Sequence, residues 1–203
     1  MPSHEHSANS LTASPITRVI AFATDTVYGL GADVTDNAAI EGIYALKGRD
    51  ENKPLILLGH AWSVFLPYLA ALTPAQVQQV NALTEHYWPG PLTLVLPAST
   101  TLNPAITRGL PTVGVRIPDC ESLIAYLKTL PSGVLATTSA NRSGEPACKT
   151  AAQVTKVFGT NLMRIIVDDA AVNPELPPSA VVGVMPNGEL TVYRSNPSVK
   201  LDA

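Results

Sequence analysis

The sequence predicts an α/β fold, a twisted sheet of mixed parallel and antiparallel strands flanked by helices. Three observations lead there. Short apolar, β-branched runs alternate with capped segments of helical period. Near the C-terminus, strand-like runs follow one another with no helix between them, which requires some antiparallel pairing. The 18 prolines sit mostly at segment edges, where a missing N–H costs least.

The elements follow in order. "TRVIAFAT" (17–24) reads as a strand that ends in Thr24, Asp25 and Thr26. Gly29-Leu30-Gly31 then reads as a tight turn, because the third glycine and the immediate helix of a dinucleotide fingerprint are missing. "NAAIEGIYALKG" (37–48) places Ile40, Ile43, Tyr44 and Leu46 at helical spacing behind Asp36, a candidate N-cap. "PLILLG" (54–59) is a buried strand type. In "TPAQVQQVNALTEHYW" (73–88), Thr73 and Gln76 form a capping box with Pro74 at the first helical position. "PLTLVLP" (91–97) and "TVGVRIP" (112–118) are proline-bounded strands. "CESLIAYLKTL" (120–130) is an amphipathic helix after Asp119, and "GVLATTSAN" (133–141) is a strand running into a polar loop. "TAAQVTKVFG" (150–159) opens with a second capping box, Thr150 with Gln153. "RIIVDD", "SAVVGV" and "ELTVYR" complete the strands.

Length and composition fit one domain over residues 15–203 behind a flexible, polar tail at 1–14. Apolar residues are 46% and charged residues 14%, which favours a buried core over disorder. The tail lacks a signal core and the arginines of a transit peptide, and its His4 and His6 suggest no metal site. Cys120 and Cys148 match no metal spacing and fit a reduced, cytoplasmic protein. No apolar run reaches the roughly 18 residues of a membrane span. A net charge of −3 gives no global attraction to nucleic acid.

The familiar catalytic motifs are absent: no GxxxxGK[ST], no HExxH, no GxSxG. The cations are more informative. Only 13 Lys and Arg are present, yet Lys47 and Arg49 end a helix, Arg116 lies inside an apolar strand, and Arg194 ends another. A buried arginine needs an anionic partner, either an internal carboxylate or a ligand. Hydroxyl and amide residues accompany them: Thr24, Thr26, Thr137, Thr138, Ser139, Asn141 and Ser179. Each alone fits turn or cap chemistry. Together, at the ends of several strands, they suggest a pocket for an anionic, hydrogen-bonding ligand such as a nucleotide.

With those residues in view, the chain resembles the YrdC-like family, the threonylcarbamoyl-AMP synthases of tRNA modification, in its short single-domain form. The resemblance rests on "TDTVYGLG" (24–31), "KGR" (47–49), "PLIL" (54–57), "WPGPLTLVLP" (88–97), "VGVRIP" (113–118), "TSANRSGEP" (138–146), "PPSAVV" (177–182) and Arg194, in order along the chain. It implies that L-threonine, bicarbonate and ATP give threonylcarbamoyl-AMP and pyrophosphate, and that other tRNA-modification proteins carry the group to adenosine 37. It implies threonine binding by Thr26, Arg116, Ser139 and Ser179. It implies ATP binding by Lys47, Arg49, Lys53, Thr112, Asn141 and Arg194, with Lys47 and Arg49 stabilising charge. Mg²⁺ would accompany ATP without an assigned protein ligand, and no general base is implied. The protein is expected to be a cytoplasmic monomer.

Four departures from the family pattern stand out: Ala23, Leu58 with His60 nearby, Gly183, and Ser195-Asn196. A non-catalytic RNA-binding relative is the alternative, with Arg142, Lys149, Lys156 and Arg164 as its basic patch. A carbamoyl-adenylate domain like that of hydrogenase maturation proteins fits less well, because zinc-type cysteine pairs are missing.

Overall fold

The computed structural model describes residues 18–48 and 53–201. The expected tail and Arg49 lie outside the described residues. The elements run β1 (Ile20–Phe22), β2 (Gly29–Asp33), α1 (Asn37–Lys47), β3 (Ile56–Gly59), α2 (Pro74–Tyr87), β4 (Leu92–Pro97), α3 (Pro104–Thr107), β5 (Thr112–Arg116), α4 (Glu121–Leu127), β6 (Val134–Ser139), α5 (Ala151–Phe158), β7 (Arg164–Ile166), β8 (Ala180–Val184) and β9 (Leu190–Arg194). A 3₁₀ turn at Trp62–Tyr68 joins β3 to α2.

The strands pair into one nine-stranded sheet, in the order β7-β1-β2-β6-β3-β5-β4-β8-β9. Pairing is parallel at β1–β7, β3–β5 and β4–β8, and antiparallel at β1–β2, β2–β6, β3–β6, β4–β5 and β8–β9. The mixed sheet expected from the sequence is present. Successive side chains alternate between its faces. Ala32, Leu57, Leu94, Val115, Ala136 and Val182 share one face by register and are all buried. Helices α1, α3 and α2 pack against β2, β5 and β8. Phe22, Ile56, Leu58, Arg116, Thr137 and Ser139 share the other face.

Local expectations are corrected at two places. The first strand stops at Phe22, and residues 25–27 bend the chain back. Gly29-Leu30-Gly31 is strand, not turn, and pairs with both β1 and β6. The glycines serve packing. A Cβ on Gly29 would lie 2.5 Å from Phe22 Cε2, and one on Gly31 would lie 2.9 Å from Phe22 Cε1. The phenyl ring therefore lies across a strip of bare backbone. The second correction concerns α5. Thr150 accepts from Gln153 N at 3.2 Å, but the Gln153 side chain accepts from Lys149 N instead of closing the box on Thr150. At α2 the box formed by Thr73 and Gln76 is complete.

Candidate active site

The β1–β2 turn builds one wall. Thr24 Oγ1 accepts from the N–H groups of Thr26 and Val27, each at 3.2 Å, and donates to the Val27 carbonyl at 2.6 Å. A hydroxyl that closes its own turn fixes the side chains on either side of it. Below the turn, Tyr28 is fully buried, and its hydroxyl donates to Asp169 while accepting from Asp168 N. This bond locks the turn to the loop that follows β7. It also pushes the Tyr28 hydroxyl far above its ordinary range, with burial as the larger cause.

Arg116 ends β5 on the open face and is 4% exposed. Its Nε donates to the Gly90 carbonyl at 2.9 Å, its Nη1 to Thr26 Oγ1 at 3.3 Å, and its Nη2 to Asp25 Oδ1 at 2.5 Å. Burial pulls the guanidinium below its usual range, and Asp25 opposes the shift. Asp25 thus supplies the internal partner that a buried arginine requires. A guanidinium has five N–H donors. The three bonds leave a donor on each Nη for a second oxygen.

Across the cavity, Arg194 donates to the Ser179 carbonyl at 2.7 Å and reaches Ser179 Oγ at 3.4 Å. Its guanidinium is pulled below its usual range, first by burial and then by the like charge of Arg116. Two arginines close enough to oppose each other's charge create a field that favours an anion between them. Ser179 is itself anchored by Thr93 Oγ1 at 2.9 Å.

The third component is the end of α1. The αL conformation of Gly48 closes the helix and lets the chain turn away. Lys47, only 3% exposed, sends its ammonium to the Ser139 carbonyl and, at 2.9 Å, to Asn141 Oδ1. Ser139 Oγ donates to the same amide oxygen at 2.6 Å, and Asn141 Nδ2 donates to the Arg142 and Glu145 carbonyls. The network holds the polar loop after β6 in a fixed shape.

These parts enclose a cavity of about 320 Å³ over the open face. Among the expected residues, Thr26, Lys53, Arg116, Ser139, Ser179 and Arg194 line it. Lys47 and Asn141 stand behind Ser139 and shape the wall through it. Thr112 lies outside the lining, at the opposite end of β5 from Arg116, four steps or roughly 13 Å along the strand. Phe22, Ile56, Leu58 and Val181 give the cavity an apolar floor, and Leu58 registers beside Arg116. Asp25 and Tyr28 were not singled out from the sequence as site residues, although both belong to the quoted "TDTVYGLG" motif. Of the proposed basic patch, Arg142 and Lys156 are exposed, and Arg164 lies over the Tyr126 ring. Lys149 is held by three backbone carbonyls. Among the described residues, no group of three His, Cys, Asp or Glu side chains is placed to hold a metal.

The Sua5_yciO_yrdC family model, described as telomere recombination, matches residues 17–196. The chain belongs to this family. A family relative, the threonylcarbamoyl-AMP synthase of Thiobacillus denitrificans, is 37% identical over 164 residues, covering 81% of this chain and 83% of that protein. The threonylcarbamoyl-AMP synthase of Pyrococcus abyssi is 40% identical over 141 residues, 70% of this chain and 40% of that protein. The solved structure of P. abyssi Sua5 complexed with L-threonine superposes with a TM-score of 0.77 at 34% identity, over 90% of this chain and 52% of that chain. The chain therefore spans about half the length of that solved relative. E. coli YciO shares the fold at a TM-score of 0.72 and 19% identity, over 91% of this chain and 85% of that chain.

Proposed function

We propose that this chain is an L-threonylcarbamoyladenylate synthase, which forms threonylcarbamoyl-AMP and pyrophosphate from L-threonine, bicarbonate and ATP for modification of adenosine 37 in tRNA. The observation that carries the reading is the pair of guanidiniums, Arg116 and Arg194, beside Thr26, Ser139 and Ser179 in one cavity. The family membership and the relative complexed with L-threonine support it.

In this reading the threonine carboxylate takes the outward Nη donors of Arg116, with Thr26, Ser139 and Ser179 adding hydrogen bonds. ATP enters as its Mg²⁺ complex, a substrate, and its phosphates face Lys53 and Arg194, with Arg49 and Thr112 as further contacts. Lys47 and Asn141 hold the Ser139 loop against them. Threonine's amine and bicarbonate join with loss of one water, and the resulting carbamate, N-carboxythreonine, is already an anion. Its oxygen attacks the α-phosphorus, the bond to the bridging oxygen breaks, and pyrophosphate leaves with that electron pair. No general base is needed at this step. What the protein supplies is position and fixed positive charge where negative charge grows. The apolar floor limits water around the carbamate, which protects it from losing carbon dioxide.

The protein would act in the cytoplasm as a monomer and hand its adenylate to tRNA-modification proteins that transfer the threonylcarbamoyl group. No helix among the described residues is long and apolar enough to cross a membrane. The test is pyrophosphate release from MgATP with one substrate omitted at a time, with the adenylate followed by mass spectrometry. The expected result is release that needs both threonine and bicarbonate, together with threonylcarbamoyl-AMP. Release independent of threonine, or no adenylate, overturns the assignment.

A further inference from the structure

We propose that Lys149 is a positioning residue that fixes the spacing between the Thr26 and Ser179 walls of the cavity. This rests on the synthase reading for its catalytic consequence, though not for its structural one. An ammonium has three N–H donors. Those of Lys149 find three backbone carbonyls: Thr26 at 3.2 Å, Asn173 at 3.2 Å, and Leu176. The acceptors come from two different segments, and both continue directly into cavity-lining residues. Thr26 is itself in the lining, and Leu176 precedes Pro178 and Ser179, which line the same cavity.

The segment between β7 and β8, residues 167–179, contains no helix or strand. Tyr28 fixes its start through Asp168 and Asp169, and further along its place depends on side chains that take up its carbonyls. Asn196, 2% exposed, donates to the Pro177 and Pro178 carbonyls at 3.1 Å each. Arg194 takes the Ser179 carbonyl. Lys149 takes the two carbonyls further back, and with Asn173 N→Asp25 O at 3.3 Å it joins this loop to the β1–β2 turn. Asn196 and Arg194 tie the loop only to the β9 end. Lys149 ties it to the turn that holds Thr26 and, through Thr26 and Asp25, to Arg116. Burial draws the ammonium below its ordinary pKa range and Glu175 opposes this, as suits a cation committed to carbonyls. A lysine that served only as a solvated surface charge would need none of this.

The test compares Lys149→Met, which keeps the stem and removes the donors, with Lys149→Arg. The first readout is amide hydrogen exchange in the unliganded protein, which is independent of any activity. Segments 24–28 and 173–179 are expected to exchange roughly tenfold faster in Lys149→Met, the equivalent of about one net hydrogen bond. Exchange in β4, β5 and β6 is expected to stay unchanged. The second readout is steady-state kinetics. The KM for threonine is expected to rise roughly tenfold with kcat within about twofold, as for loss of uniform binding. Lys149→Arg is expected to recover part of both effects.

Unchanged exchange in the two segments overturns the proposal, and so does an acceleration spread evenly over all strands, which would mark a general stability residue. Faster local exchange with an unchanged threonine KM overturns the catalytic consequence. If the unsubstituted protein makes no adenylate, the synthase reading fails and the exchange result decides the structural role alone.

Discussion

Asp25 Oδ1 lies 2.5 Å from Arg116 Nη2, Arg116 buried and Asp25 half-buried, so the innermost cation of the cavity carries a counter-charge from the protein itself. A substrate carboxylate at Arg116 therefore adds to an ion pair that already exists. It must use the donors that Asp25, Thr26 and Gly90 leave over. This argues for geometry, rather than bare charge, as the source of affinity.

Arg116→Lys tests that distinction. A lysine keeps the charge near Asp25 but loses the planar fork that reaches Gly90, Thr26, Asp25 and a ligand at once. Threonine affinity, measured by calorimetry or fluorescence, is expected to fall roughly 10- to 100-fold, about 1.4–2.8 kcal/mol. Unchanged affinity would mean that Arg116 does not meet the carboxylate.

Lys47 makes the corresponding case on the side proposed for the nucleotide. Its ammonium joins the end of α1 to Ser139 and Asn141, so its removal loosens the loop and withdraws a charge. Lys47→Met is expected to slow adenylate formation tens- to hundreds-fold, roughly 2–4 kcal/mol of barrier. Circular dichroism should show the fold intact. Full activity would remove Lys47 from the catalytic machinery.

Much of the fold was readable from the sequence because its signals are local. Asp36 and the Thr73–Gln76 pair start the helices they were expected to start. Apolar runs became β3, β4, β5 and β6. Strand β2 was misread because its glycines signal a turn locally, whereas Phe22, a partner on another strand, requires them there. The site was partly legible in the same way. Buried cations announce themselves by charge in an apolar context, as Arg116 does. Which atom neutralises them is a tertiary fact, and Asp25 and the carbonyls around Lys149 come from segments far apart in the chain. Asn196, which the sequence marks only as part of a departure from the family pattern, fastens the Pro177–Pro178 backbone.

Gly31→Ala probes the strip beneath Phe22. The new Cβ would lie 2.9 Å from Phe22 Cε1, 3.0 Å from Thr137 Cγ2 and 3.2 Å from the Ala136 carbonyl oxygen. Phe22 is fully buried, so its ring can yield only towards the cavity that it floors. Overpacking of this kind costs roughly 1–3 kcal/mol. Urea unfolding should show the midpoint falling with an unchanged slope. An unshifted midpoint would mean that the sheet yields at no cost.

Tyr28→Phe separates packing from the proton. The ring stays, but the bond to Asp169 and the bond from Asp168 N are lost, at a cost of roughly 1–2 kcal/mol near neutral pH. The folded hydroxyl holds its proton well above the ordinary tyrosine value, so at high pH the native state binds a proton that the unfolded chain has released. Stability then falls as pH rises. The contribution of Tyr28 is complete below about pH 10 and is lost as pH climbs from there towards the folded value. Tyr68 and Tyr126 are shifted the same way, but they are present in both proteins and cancel in the difference. The stability gap between the two proteins, measured by urea unfolding, is therefore expected to stay constant from about pH 7 to 9 and to narrow above about 10. A gap that persists unchanged well above that range would show that the Tyr28 hydroxyl ionises as readily in the folded protein as in the unfolded chain.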